Sequence, residues 1–108
     1  MKVSEIDVHE AHKKLNSTNP PFLLDVRETF ERDFANIAGE LIPLGELPDR
    51  ISELDNHKNN EVIVYCRSGA RSAEACKLLM QEGFADVKNL SGGILAWSQE
   101  IDPEIPQY

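Results

Sequence analysis

Cationic charge is scarce in this sequence. Eleven Lys and Arg stand against 19 Asp and Glu in 108 residues, for a formal net charge of −8. That balance excludes the basic footprint on which nucleic-acid binding and anionic membrane surfaces depend, so neither partner is expected. Long hydrophobic runs are absent as well; no stretch approaches the ~20 apolar residues of a membrane span. The first residues, MKVSEIDVHE, lack the apolar core of roughly 7–15 residues that a secretory signal carries. The expectation is a cytoplasmic protein whose thiols stay reduced.

Cysteine is limited to Cys66 and Cys76. Neither CxxC nor a Cys/His zinc spacing occurs, and His9, His12 and His57 are scattered as surface residues would be. No metal or organic cofactor is implied. A disulfide between the two cysteines would tie up the one better placed to react. No linker, repeat or low-complexity tract divides the chain, so residues 1–108 read as a single domain. A chain of this length buries roughly two-thirds of its unfolded surface, enough for a core without metal or disulfide support.

What is present is organised around residues 61–84, EVIVYCRSGARSAEACKLLMQEGF. Val62–Tyr65 reads as a short buried strand, Cys66–Arg71 as a tight polar loop, and Ser72–Glu82 as a helix ended by Gly83 at C′. A cysteine between strand and helix receives backbone N–H groups and the positive end of the helix dipole. Both favour the thiolate, which is the reactive form. Arg67 and Arg71 add a positive island in an acidic chain. Cys66 is therefore the candidate nucleophile, facing an anionic group. Cys76 falls on the apolar helix face with Ala73, Leu79 and Met80 and reads as a core residue.

In chain order, Lys2–Ile6 predicts a first strand. Asp7 caps a helix over Val8–Asn16, with Glu10 three residues on. Phe22–Val26 predicts a strand buried on both faces. Arg27–Phe34 follows as a helix with Phe30 and Phe34 on its inner face. Leu41–Ile42 predicts a brief strand, and a helix runs from the Leu44 turn to Leu54, with Pro48 in its first turn. Val87–Leu90, a Ser91-Gly-Gly turn and a helix over Gly93–Glu100 complete the alternation; Asp102–Tyr108 is expected to lie extended on the surface. Five alternations predict an α/β fold, a small, mostly parallel five-stranded sheet with helices on both faces. Ligands of such sheets bind at the carboxyl ends of the strands, where Asp25 and Cys66 fall. Asp25 is either a cap for the segment starting at Glu28 or a carboxylate paired with an arginine of the site.

The loop CRSGARS resembles the active-site loop of the rhodanese domain superfamily. LLDVRE (Leu23–Glu28), IPLGEL (Ile42–Leu47) and NLSGGILAW (Asn89–Trp97) agree in order and spacing, so the resemblance covers essentially the whole chain. The closing WSQEIDPEIPQY is similar to the C-terminal rhodanese-like domain of adenylyltransferases that activate ubiquitin-like sulfur carriers. The resemblance implies a sulfurtransferase. Cys66 takes sulfane sulfur from a thiosulfate-like anion or a persulfide donor, holds it as a persulfide, and passes it to cyanide, a thiol or a sulfur-carrier protein. Arg67, Ser68, Gly69, Ala70, Arg71 and Ser72 form the anion-binding loop, with Gly69 also suited to a left-handed turn. Arg67 or Arg71 would hold a sulfonate; alternatively Arg71 braces Asp25, or either arginine is simply solvated. Trp97 reads as core or pocket wall.

One stretch departs from the family pattern. Ala35–Glu40 reads ANIAGE where relatives often carry GHIPGA, which makes the turn before the third strand the least defined. Two other readings compete. Cysteine phosphatases and arsenate reductases need five residues between Cys and Arg, whereas four separate Cys66 from Arg71 and Ser72 takes the next position. A non-catalytic rhodanese-like interaction module would not need the intact Cys66 loop.

Overall fold

A computed structural model of the chain describes residues 2–108. Twelve elements alternate along it: β1 (Ser4–Ile6), α1 (Val8–Leu15), β2 (Phe22–Asp25), α2 (Thr29–Phe34), β3 (Glu40–Leu41), a 3-10 turn (Leu44–Glu46), α3 (Leu47–Arg50), a 3-10 stretch (Ile51–His57), β4 (Glu61–Tyr65), α4 (Ala70–Gln81), β5 (Asp86–Leu90) and α5 (Gly93–Glu100). The strands form one sheet in the order β1-β5-β4-β2-β3, and every pairing is parallel. Parallel strands need crossover connections, and these helices supply them, so both faces of the sheet are covered. Among the described residues no helix is long and apolar enough to cross a membrane.

Strand alternation sorts the core into two layers. Leu24, Val62, Val64 and Val87 face Leu47 and Leu54 and the α4 residues Ala75, Cys76 and Leu79. On the other face Leu23, Ile63 and Tyr65 meet Val8 and Ala11 of α1 and Ile94 and Trp97 of α5. The central strand β4 is buried on both sides from Val62 to Tyr65, which is why it reads as an unbroken apolar run. Cys66 follows it directly, between the ends of β2 and β5.

Local chemistry sets the boundaries. Asp7 caps α1, its Oδ1 accepting the Glu10 N–H at 2.8 Å. The end of α4 is a Schellman turn: Gly83 has φ +90, and the N–H groups of Gly83 and Phe84 return to Met80 and Leu79 carbonyls at 3.1 Å. Three expectations shift. The helix after β3 is broken into 3-10, α and 3-10 pieces. Helix α4 begins at Ala70, two residues before the expected Ser72, so Arg71 and Ser72 lie in its first turn. Phe30 and Phe34 point outward, at 72% and 55% exposure, because the inward side of α2 is given to Glu31. Cys76 is buried, as its place on the apolar face implied.

The ANIAGE turn is held by polar anchors as well as by the packing of Ala35 and Ile37 against the core. Ala38 has φ +78, the lone non-glycine at positive φ among the described residues. Its carbonyl accepts from the Tyr65 hydroxyl at 2.8 Å, and the Gly39 carbonyl accepts from Arg32 at 2.6 Å. Those two bonds hold a conformation that costs an L-residue on the order of 1–2 kcal/mol. Ala38→Gly is therefore expected to stabilise the fold by about 0.5–1 kcal/mol after the entropic loss of glycine, read as a higher urea midpoint at unchanged slope. A lower midpoint would mean that the Ala38 methyl contributes packing the geometry does not show.

Candidate active site

Cys66 is 1% exposed and its sulfur sits where the loop turns into α4. The Gly69 N–H points at Sγ from 3.1 Å and the Ser72 N–H from 3.4 Å, with the Ser72 hydroxyl 3.3 Å away. Burial pushes the thiol up. The Ser72 side chain and the N–H groups of Ser72, Gly69 and Ser68 outweigh it, and Cys66 ends below the ordinary thiol range. Cys76, inside α4, has no such donors; burial and the charges of Glu5 and Cys66 push it up to about 12. The two thiols are thus shifted in opposite directions, Cys66 toward the thiolate and Cys76 away from it.

The loop shape follows from what its backbone meets. Gly69, at φ +115, makes the left-handed step from loop to helix. On the far side, the start of α5 donates its N–H groups to the loop carbonyls: Ile94 to Cys66 at 3.0 Å and Leu95 to Arg67 at 3.1 Å. A side chain at Gly93 would fall within 2.6 Å of the Cys66 carbonyl oxygen, so only glycine lets α5 approach. With the Arg67 carbonyl turned toward α5, the N–H of the same peptide, that of Ser68, is left on the side of the sulfur. This is the physical role of the GG pair in NLSGGILAW.

Arg67 and Ser68 are exposed, as is Ala70 at the first helical position. Arg71 does not reach Asp25. It forms a two-pronged pair with Glu31, Nη1 to Oε1 at 2.7 Å and Nη2 to Oε2 at 2.9 Å. Glu31 also answers why a cation sits in the first turn of a helix, where the dipole disfavours it. The Arg71 guanidinium, helped by the Glu28 N–H and the Tyr108 hydroxyl, holds the Glu31 carboxyl down to about 2 against burial.

Asp25 is fully buried and belongs to Arg27, which is fully buried too. Arg27 Nε donates to Oδ1 at 2.9 Å, Nη2 to Oδ2 at 2.8 Å, and the Arg27 N–H to Oδ1 at 3.0 Å. Asp25 is thus a bracing carboxylate, paired with the arginine two residues on rather than with the loop. The remaining Arg27 nitrogen donates to the Tyr108 hydroxyl at 3.0 Å, and that hydroxyl donates to Glu31 at 2.7 Å. Tyr108 also lies under Arg67, ring centre 5.3 Å from the guanidinium carbon, and its carbonyl accepts from Arg67 Nε. The tail, expected to lie extended on the surface, has exposed residues along it but ends with Tyr108 at the site.

Glu31, Arg27, Asn89, Glu5 and Tyr108 are absent from the residues the sequence singles out. Arg27 was readable, because DVR places it on the same face as Asp25. Asn89, a polar residue on a buried strand, was a second signal. Nothing local marks Tyr108. Among the described residues no group of three or more His, Cys, Asp or Glu side chains converges as a metal site would require.

Comparison with known proteins identifies the family and agrees with the fold. The family described as Rhodanese-like domain matches residues 7–100. A "Sulfurtransferase" of Allochromatium vinosum is 42% identical over 98 residues, 90% of each chain. The "Probable adenylyltransferase/sulfurtransferase MoeZ" of Mycobacterium tuberculosis is 33% identical over 108 residues, 99% of this chain but 28% of that longer protein. Among solved structures, a rhodanese-like domain protein from Staphylococcus aureus superposes with a TM-score of 0.82 at 28% identity, covering 98% of this chain and 99% of that one.

The Glu31–Arg71 pair makes stability depend on acid. Its carboxyl is depressed from 4.5 to about 2 on folding, so its contribution is complete above about pH 4.5 and is lost as pH falls through 2. Half-exposure of Arg71 tempers the magnitude to on the order of 1–2 kcal/mol. Glu31→Gln is expected to lower the unfolding free energy by that amount at pH 7, with the difference closing by about pH 2 in urea titrations. A gap that stays constant over that range would assign the loss to packing.

Proposed function

This chain belongs to the rhodanese-like domain family, and from that premise we propose that it moves sulfane sulfur through a persulfide on Cys66. The observation that carries the reading is the convergence of backbone N–H groups and the Ser72 hydroxyl on one buried sulfur whose thiol is held below its ordinary range. The Cys66 thiolate attacks the outer sulfur of thiosulfate; a new S–S bond forms, the S–S bond of thiosulfate breaks, and sulfite leaves with the electron pair. The negative charge then rests on the outer sulfur of Cys66–S–S⁻, where loop N–H groups solvate it in the manner of an oxyanion hole. In the second step a thiophilic acceptor takes that sulfur, and Cys66 leaves as the thiolate it began as.

Within this scheme Arg67 is the exposed cation for a sulfonate, and Ser68, Gly69, Ala70, Arg71 and Ser72 shape the anion cradle. Asp25 acts at a distance, by bracing the end of β2 beside Tyr65. Arg71 is already engaged by Glu31, and the loop has four residues before it; both disfavour the enclosing grip a tetrahedral phosphate needs. A protein acceptor, such as the sulfur carrier the sequence resemblance suggests, has one feature in its favour. Exposed Phe30 and Phe34 extend apolar surface to the site, since Phe34 packs edge-on to Tyr108, which lies under Arg67.

Intact-mass measurement after thiosulfate treatment tests the proposal. The wild-type chain should gain one sulfur, about 32 Da by elemental mass for one nucleophilic thiolate, Cys66→Ala none, and Cys76→Ala the same gain as wild type. An unmodified wild-type chain would leave the binding-module reading, and turnover of an aryl phosphate at a comparable rate would restore the phosphatase one.

A further inference from the structure

Ser72 has one hydroxyl hydrogen and two atoms that can take it. Its Oγ lies 3.3 Å from Cys66 Sγ and 2.5 Å from Asn89 Oδ1. The orientation of the Asn89 amide decides the contest. Its Nδ2 sits 3.0 Å from Glu5 Oε2 and 3.0 Å from the Gly69 carbonyl oxygen, two groups that only accept. Both amide hydrogens are therefore spoken for, and turning the amide over would set oxygen against oxygen twice. Oδ1 must face Ser72, and an oxygen facing a hydroxyl at that distance takes its hydrogen. Ser72, Asn89 and Cys66 are all buried, so bulk water does not relieve the competition.

We propose that Asn89 is a positioning residue that holds the Ser72 hydroxyl hydrogen while the Cys66 sulfur is uncharged and yields it when that sulfur becomes a thiolate. In the thiol, S–H donates to the Ser72 oxygen and the hydroxyl donates to Asn89. When Sγ gains charge, the hydroxyl rotates and donates to it, exchanging a neutral acceptor for an ionic one. In a persulfide Sγ is a neutral bridging atom and Asn89 reclaims the hydrogen. When the outer sulfur is handed on, Sγ leaves with charge and the hydrogen returns. The hydroxyl is thereby supplied to the sulfur only at the charged stages, and no stage leaves it unpaired.

Other charges bear on the same sulfur and stay in place through these steps. Arg71 of α4 feels the Cys66 charge and is itself offset by Glu31 of α2. Arg67 lies in the loop under the hold of Tyr108. Cys76 of α4 and Glu5 of β1 complete the surroundings, Glu5 acting from behind Asn89 and also accepting from the Ser91 hydroxyl at 2.9 Å. Asn89 differs from all of these in competing for the Ser72 hydroxyl hydrogen, and that difference gives the test.

The inference rests on the proposed function only for the role of Cys66, and its readout needs no sulfur donor. Site-resolved mass spectrometry of iodoacetamide alkylation against pH, on the full chain, reports the Cys66 titration; Cys76, buried and pushed up to about 12, stays silent. Asn89→Leu cannot accept the hydrogen and leaves it to the sulfur. Its Cys66 midpoint should fall by about one pH unit, roughly a tenfold gain in thiolate below the midpoint. Ser72→Ala alone should raise the midpoint, and adding Asn89→Leu to it should move it no further. Any indirect effect through Glu5 or the loop would appear in both backgrounds, so an equal shift in both overturns the proposal. A midpoint that is unchanged or raised by Asn89→Leu overturns it too. Should that variant fail to fold, Asn89→Val, which suits strand β5 and also lacks an acceptor, carries the same comparison.

Discussion

The buried pair of Asp25 and Arg27 is the constraint from which the rest of the site end follows. Two full charges at 0% exposure are tolerated only if every donor and acceptor on them is met. The structure meets them by recruitment. Asp25 shares the single Tyr65 hydroxyl hydrogen, at 3.0 Å, with the Ala38 carbonyl and takes a longer contact from Arg32 at 3.4 Å in addition to Arg27. Arg27 spends its last nitrogen on Tyr108, and Tyr108 hands the chain of bonds to Glu31 and so to Arg71. Removing either Asp25 or Arg27 would strand the other as a buried charge, at a cost of about 3–5 kcal/mol. A carboxylate at the end of β2 is thus linked by hydrogen bonds to Arg71 in the first turn of α4, although it never touches the sulfur.

A second frame closes the loop from the opposite side. There the contacts are neutral: the first N–H groups of α5 on the carbonyls of Cys66 and Arg67, and the Asn89 amide on the carbonyl of Gly69. The two frames divide the labour. The ionic one holds the Arg71 side chain in the first turn of α4; the neutral one holds the carbonyls of Cys66, Arg67 and Gly69. Reversing a single loop peptide would aim a carbonyl at the sulfur in place of an N–H, which turns a thiolate site into one that repels charge.

The legible part of the chain was the part whose physics is local. A run such as VIVY declares a central strand, DVHE a cap and a helix start, EGF a Schellman end, and CRSGARS a short loop at a helix N-terminus. The sheet and the position of Cys66 follow from those. Misreadings arose where tertiary demands outrank periodicity. Phe30 and Phe34 have helical spacing and read as an inner face, yet Glu31 takes the inward side because Arg71 and Tyr108, distant in sequence, need a carboxylate there. Arg71 was offered Asp25 as a partner because the sheet edge brings both near; the i+2 arginine had already satisfied that carboxylate. Tyr108 lies 81 residues from Arg27, and no local pattern announces a contact of that kind.

Cys66 and Cys76 form an internal control on what activates the site. They share one chain and nearly complete burial, and burial acts on both in the same direction. Opposite outcomes must come from something other than desolvation. Arginine charge is a weak explanation, since Glu31 cancels Arg71 at close range and Arg67 is solvent-exposed, where water screens it. What separates the two sulfurs is the set of N–H and O–H dipoles aimed at one and missing from the other. Such dipoles are oriented before any charge arrives, so stabilising an anion on Cys66 requires little rearrangement. They also leave no fixed countercharge that would have to be neutralised when the sulfur is alkylated or capped. A site built on dipoles can therefore hold the charge on Sγ at one stage and on an atom bonded to it at another, which is the demand that moving a sulfur atom makes.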